Sequence, residues 1–220
     1  MYGGSRIELS GVPVVSKEKR NTRVLAVLTR NPVPGRVKSR LAAAVGPEAA
    51  LQVYLTLRDH TAGVMKACHA EKAVFYSDEI PREDCFLDCG AQAFLQEDGD
   101  FGARMHHTFT TGFSRGFRRM VLIGSDCPDI DAGIIEDAFS ALENHDAVLG
   151  PARDGGFYLI GLKRERPELF EGRTWSHQHV LQETIGIFEK TGASYVLLPE
   201  LQDIDTIEDL RQSRLWPLKV

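Results

Sequence analysis

The sequence predicts an α/β fold in three layers, a mostly parallel central sheet covered by helices on both faces. Three observations carry this expectation. Residues 23–29 read Arg-Val-Leu-Ala-Val-Leu-Thr, a nearly continuous apolar run of the kind a doubly buried parallel strand needs. Further short apolar runs alternate with stretches of helical period, which is the βαβ pattern of a Rossmann-like sheet. The chain has 220 residues, enough for one domain to bury a full core without staples.

Taken in order, residues 1–22 hold two early glycines and a polar, charged tract. They read as an N-terminal extension with a short strand at 7–9. The domain occupies 23–220. The first strand, 23–29, runs into Arg30-Asn-Pro-Val-Pro-Gly35, where prolines forbid helix and glycine permits a turn. Pro47 suits a first helical turn and opens a long helix to 68, with Val53, Leu57, Val64 and Cys68 on one face. Strands follow at 72–77, 93–96, 120–124, 147–151, 156–162 and 194–198. Helices fall at 101–113, 132–143, 179–191 and 206–214. The short gap before 156–162 predicts one antiparallel or offset strand.

Composition narrows the function. The 26 basic and 31 acidic residues leave a net charge of −5, against the dominant basic surface that non-specific nucleic-acid binding needs. No apolar run approaches the roughly 18 residues of a membrane span. Cys68, Cys85, Cys89 and Cys127 form no C-x-x-C pair, so free thiols are expected, not a zinc site. With no signal peptide evident, a reducing cytoplasmic setting is expected.

In open sheets of this kind, ligands collect where strands end at their carboxyl edge, and the unusual segments lie there. Pro32-Val-Pro-Gly-Arg-Val-Lys-Ser-Arg-Leu41 places Pro34, Gly35, Arg36, Lys38 and Arg40 in the loop after the first strand. Three cations over an exposed backbone suit a pyrophosphate. The loop is not a Walker A motif, whose first glycine is missing. Met120-Val-Leu-Ile-Gly-Ser-Asp-Cys-Pro-Asp129 delivers Ser125 and Asp126 to the same rim; Asp126 suits a hard cation bridging diphosphate oxygens. Asp129 and Asp131 read as helix caps. Gly150-Pro-Ala-Arg-Asp-Gly-Gly156 offers Asp154 to bind or deprotonate an acceptor hydroxyl, with Gly155 and Gly156 permitting close approach of substrate. Leu201-Gln-Asp-Ile-Asp-Thr-Ile-Glu-Asp-Leu210 holds a helix start, with Asp203 and Asp205 as candidates for a second metal ligand. A dehalogenase-type D-x-D-x-T reading fails there, because Ile207 stands at its last position. Trp175 reads as core or pocket wall, and His106, His107, His177 and His179 as polar helix residues.

These segments, with Gly99-Asp-Phe-Gly-Ala-Arg-Met105, occur in an order that resembles the bacterial DUF2064 family of glycosyltransferase-like proteins. The resemblance spans about residues 23–211. It implies a GT-A fold, that of nucleotide-diphospho-sugar transferases. Lys38-Ser-Arg-Leu-Ala42 also looks like phospholactate guanylyltransferases, a sister group. The resemblance implies a nucleotide site at 30–40, a divalent metal (Mg²⁺ or Mn²⁺) at Asp126 with Asp205 as second ligand, and a pocket shaped by Gly102 and Arg104. The chain departs from the family at Arg30, Ser39 and His177, where Lys, Thr and Thr are usual.

The sequence therefore leads to a metal-dependent transferase that uses a nucleotide-diphospho-sugar and a small-molecule acceptor. Pro34, Gly35, Arg36, Lys38, Arg40, Gly102, Arg104 and Ser125 would bind nucleotide. Asp126 and Asp205 would hold metal, and Asp154, Gly155, Gly156 and Trp175 would meet substrate. Lys38 and Asp154 are the catalytic candidates. Two alternatives stay open: a nucleotidyltransferase that consumes a nucleoside triphosphate and releases pyrophosphate, and a non-catalytic nucleotide-binding protein.

Overall fold

The computed structural model describes residues 22–217; the expected extension and its strand at 7–9 fall outside them, apart from Thr22. Seven strands form one sheet in the order β3-β2-β1-β4-β6-β5-β7. They are β1 Arg23–Thr29, β2 Glu71–Tyr76, β3 Gln92–Leu95, β4 Arg119–Ile123, β5 Ala147–Pro151, β6 Phe157–Leu162 and β7 Tyr195–Leu197. All neighbouring pairs are parallel except β6, which runs antiparallel to both β4 and β5. The helices are α1 Ser39–Val45, α2 Pro47–Ala67, α3 Cys85–Asp88, α4 Phe101–Ser114, α5 Ala132–Asn144, α6 Val180–Thr191 and α7 Ile207–Gln212, with a 3₁₀ turn at Pro167–Leu169.

Strand alternation divides the core. Leu25, Val27, Val121, Ile123 and Val148 face one layer, packed by α2 and α5 through Met65, Ile135, Phe139 and Leu142. Val24, Ala26, Met120, Leu122 and Leu149 face the other, packed by α4 and α6 through Met105, Phe109 and Phe188. A smaller cluster joins α1, the front of α2 and α7 through Leu41, Val53, Leu57, Ile204 and Leu210. Thus Val53 and Leu57 serve one cluster while Val64 and Cys68 serve another, because a helix of 21 residues outruns any one contact patch.

The chain steps from β1 to β2 and β3, then returns to β4 on the other side of β1. That reversal is a switch point, and the crevice beyond the strand ends there is the usual ligand site. The antiparallel β6 brings its own start to the same rim. Segments 30–38, 124–131, 152–156 and 198–206 converge there.

Candidate functional site

A cleft of about 440 Å³ opens at this rim, lined among others by Arg36, Lys38, Arg40, Arg104, Asp126, Asp154, Gly156, Trp175, Asp203 and Asp205. Its centre is an ion triad. Lys38 Nζ lies 3.0 Å from Asp126 Oδ1 and 3.0 Å from Asp205 Oδ1. The lysine side chain is only 4% exposed, the two carboxylates 40% and 44%. Burial alone would lower the Lys38 ammonium, but Asp126 and Asp205 outweigh it and hold the group well above its ordinary range. Lys38 precedes α1 with φ 48°, a left-handed conformation that a side-chain-bearing residue rarely adopts. Ser176, with φ 65°, also lines the cleft. Among the described residues these are the two non-glycine positions with positive φ, and both border the site, where such strain concentrates.

Asp203 adds a third carboxylate. Its Oδ1 is shielded from solvent and has no hydrogen-bond partner. Burial first, then the charge of Asp126, pushes its pKa up to about 7. Ile204 N donates to Asp126 O at 3.1 Å, stitching this segment to the loop after β4. Among the described residues no three His, Cys, Asp or Glu side chains are close enough for an all-protein metal site. The donor set nonetheless fits Mg²⁺ or Mn²⁺. Such ions take hard oxygens from one or two carboxylates and complete their shell with water and substrate phosphates, and an orphaned carboxylate oxygen lies beside the pair.

The other expected residues divide. Arg36 pairs with Asp78 at 2.6 Å, and Arg40 approaches Asp205 at 3.9 Å. Pro34 and Gly35 stay outside the lining and shape only the turn. The Ser125 side chain points inward, its hydroxyl 3.3 Å from Thr29 Oγ1 and 3.4 Å from the Tyr54 hydroxyl. Asp154 Oδ1 accepts from Gly156 N at 2.9 Å, a local turn bond. Gly155 admits protein instead of ligand: a Cβ there would meet the Gln178 carbonyl oxygen at 2.0 Å. Gly102 is likewise filled by its own fold, with Trp175 Nε1 at 2.3 Å from such a Cβ. Trp175 is pocket wall, edge-on to Phe101 at 5.9 Å and beneath the Arg173 guanidinium at 4.5 Å. Asp131 caps α5 as expected, whereas Asp129 caps none of the described helices and pairs with Arg214 at 3.5 Å; Thr206 with Asp209 forms a capping box on α7. All four cysteines are free.

The sequence reading missed the polar network under the cleft. Arg58, 3% exposed, pairs with Asp84, 6% exposed, at 2.6 Å. Its Nε reaches Thr29 Oγ1 at 3.3 Å, and the Tyr76 hydroxyl donates to Asp84 at 2.8 Å. Thr29 then meets Ser125, so the ends of β1 and β4 are pinned together from below. A signal existed: Tyr54, Arg58, Thr61 and Met65 fall at spacings of four, three and four on one buried stripe of α2.

A switch-point cleft with a cationic loop facing acidic residues at the rim of a 3-2-1-4-6-5-7 sheet defines the GT-A-like class, the architecture of nucleotide-diphospho-sugar transferases. The chain belongs to the DUF2064 family, described as uncharacterized and conserved in bacteria, whose model matches residues 60–177. A comparison with curated proteins finds no significant match. Among solved structures, a Desulfovibrio desulfuricans G20 protein, provisionally assigned as a nucleotide-diphospho-sugar transferase, is 29% identical with a TM-score of 0.81 over 90% of this chain and 89% of its own. A Leptospira borgpetersenii cytidylyltransferase is 17% identical with a TM-score of 0.57, over 86% and 84% of the two chains. A CMP:2-keto-3-deoxy-manno-octonic acid synthetase complexed with CTP is 13% identical with a TM-score of 0.54, over 86% and 95%. The last two similarities concern the fold alone. No helix among the described residues is long and apolar enough to cross a membrane.

Proposed function

We propose that the protein is a metal-dependent transferase acting on a nucleotide-diphospho-sugar and a small-molecule acceptor. The observation that supports this most directly is the meeting of Lys38, Asp126 and Asp205 beside the orphaned oxygen of Asp203. Asp126 and Asp205 would hold the divalent cation, which as a Lewis acid would offset charge on the departing diphosphate. Lys38, already ordered between the carboxylates, places a fixed positive charge at the same spot. Arg36 and Arg40 present further charge to phosphate oxygens at the rim. The sugar–oxygen bond to the diphosphate breaks, the acceptor oxygen bonds to the sugar carbon, and the acceptor proton passes to Asp154, whose Oδ2 is left free by the turn bond. Nucleoside diphosphate leaves. The resemblance in sequence and fold to the Desulfovibrio protein supports the same reading.

Isothermal calorimetry with UDP, GDP, CDP and ADP, with and without Mg²⁺ or Mn²⁺, tests the assignment. At least one nucleotide should bind tightly only with the cation, and Asp126→Ala should abolish that dependence. Metal-dependent binding unchanged in Asp126→Ala would defeat it. Product analysis separates the chemistries: pyrophosphate released from a nucleoside triphosphate would favour nucleotidyl transfer, whereas free nucleoside diphosphate favours glycosyl transfer.

A further inference from the structure

Polar groups shielded from water normally find hydrogen-bond partners. Three N–H donors in and behind one side of the cleft do not: Arg104 Nε, Trp175 Nε1 and, stacked on the Trp175 ring, Arg173 Nε. They belong to a single wall. Trp175 Nε1 lies against the first turn of α4 at Gly102, and Arg173 stacks on the Trp175 ring. Arg104 and Trp175 both line the cleft. Arg36, Lys38 and Arg40 each face a carboxylate. Arg104 faces none: among the described residues its guanidinium has neither hydrogen bond nor ion pair. Arg173 spends its terminal nitrogens on Leu169 O, Val180 O, Thr184 and Glu183, so it braces the wall, and Arg104 remains available.

This wall is distinct from the cationic loop. α4 packs on one face of the sheet, whereas α1, α2 and α7 pack together around the loop on the other side of the rim. Arg104 thus reaches the cleft from a different element than residues 36–40. Buried donors without acceptors, a free guanidinium and an aromatic surface together call for a ligand that brings oxygen acceptors and negative charge. We infer that the wall of Arg104 and Trp175 is the subsite for the second substrate and takes a carboxylate or phosphate group on it, gripped by Arg104. The inference rests on reading the cleft as a transferase site, and it moves Arg104 from the nucleotide, where the family resemblance put it, to the acceptor.

The chain has two tryptophans, and Trp216 is 45% exposed, so Trp216→Phe leaves Trp175 as the sole tryptophan. In that full-length background, sodium phosphate and sodium acetate are titrated separately at constant ionic strength, following Trp175 fluorescence. A saturable change is expected with at least one anion, and the one that responds tells phosphate from carboxylate recognition. Arg104→Gln should weaken the response tenfold or more, and Arg104→Lys less. Arg104 gives up no side-chain hydrogen bond or ion pair on substitution, and far-UV circular dichroism verifies that the variant folds. No saturable response to either ion, or an unaltered response in Arg104→Gln, would overturn the inference. The assay uses neither nucleotide nor cation. Failure of nucleotide binding would thus sink the transferase reading and leave this result standing.

Discussion

Lys38 and Gly102 both carry functional meaning in the sequence, and the structure spends each differently from what the sequence suggests. Order along the chain was enough to bring Lys38, Asp126 and Asp205 to one rim, because strand ends of a parallel sheet share an edge. It was not enough to reveal that the ammonium sits between the carboxylates at 3.0 Å from each, since that depends on a left-handed backbone at Lys38 itself. Gly102 reads as room for a ligand, but a glycine's missing Cβ does not say who uses the space. Here Trp175 Nε1 and the Phe170 carbonyl oxygen use it, 2.3 and 2.7 Å from where a Cβ would stand. Gly102→Ala must therefore shift Trp175 or the backbone behind it. Overpacking of this kind costs about 1–3 kcal/mol, and the gain in helix propensity returns about 1 kcal/mol at most. A net loss is expected, read as a lower urea midpoint with an unchanged slope and a shifted tryptophan emission. A midpoint equal to or above the parent's would show that the wall has slack.

At the scale of elements, the sequence patterns located all seven strands of the sheet and five of the seven α-helices to within about two residues. The antiparallel β6 was legible from the few residues separating it from β5, too few for a crossover. The helix α1 was not. It follows directly on the proline-rich loop, has no side-chain cap, and is seven residues long, so its signals merge with the cationic loop. The sheet edge shows how a single residue joins elements. Asp146, just before β5, accepts at Oδ2 from Ser194 N at 3.0 Å and Ser194 Oγ at 2.9 Å, just before β7. These bonds hold its carboxyl below the ordinary range, with Arg166 adding to them and burial opposing. A depressed carboxyl stabilises the fold above the unfolded pKa of about 3.9 and loses that contribution as pH falls through the folded value. Asp146→Asn should therefore be less stable than the parent at pH 7, and the two should converge as pH drops below about 4. Thermal melts across that range check the sign; a constant gap would mean that the charge of Asp146 contributes nothing.

Across the whole molecule, the cleft is built by both layers of helices, and on the proposed reading its charge balance would couple two ligands. Asp126, Asp203 and Asp205 crowd one wall with Lys38 as their buried counter-ion. A nucleotide diphosphate arriving alone would meet those carboxylates and be repelled. A divalent cation arriving alone would have to compete with Lys38 for Asp126 and Asp205. Together each would supply what the other needs: the cation would neutralise acidic charge, and the phosphates would fill its coordination shell. Such mutual dependence is a coupling free energy, and it is reciprocal. Binding to the folded state alone at a hundredfold excess over Kd stabilises by about 2.7 kcal/mol, and a chain of this size gains roughly 2–4 °C per kcal/mol. A cognate nucleotide with Mg²⁺ or Mn²⁺ should therefore raise Tm by roughly 5–10 °C, well beyond the sum of the shifts produced by each alone. In Asp126→Ala the excess should vanish while the small separate shifts persist. Shifts that merely add in the parent protein would mean that cation and nucleotide ignore each other, and the carboxylates at this rim would then have no part in holding a diphosphate.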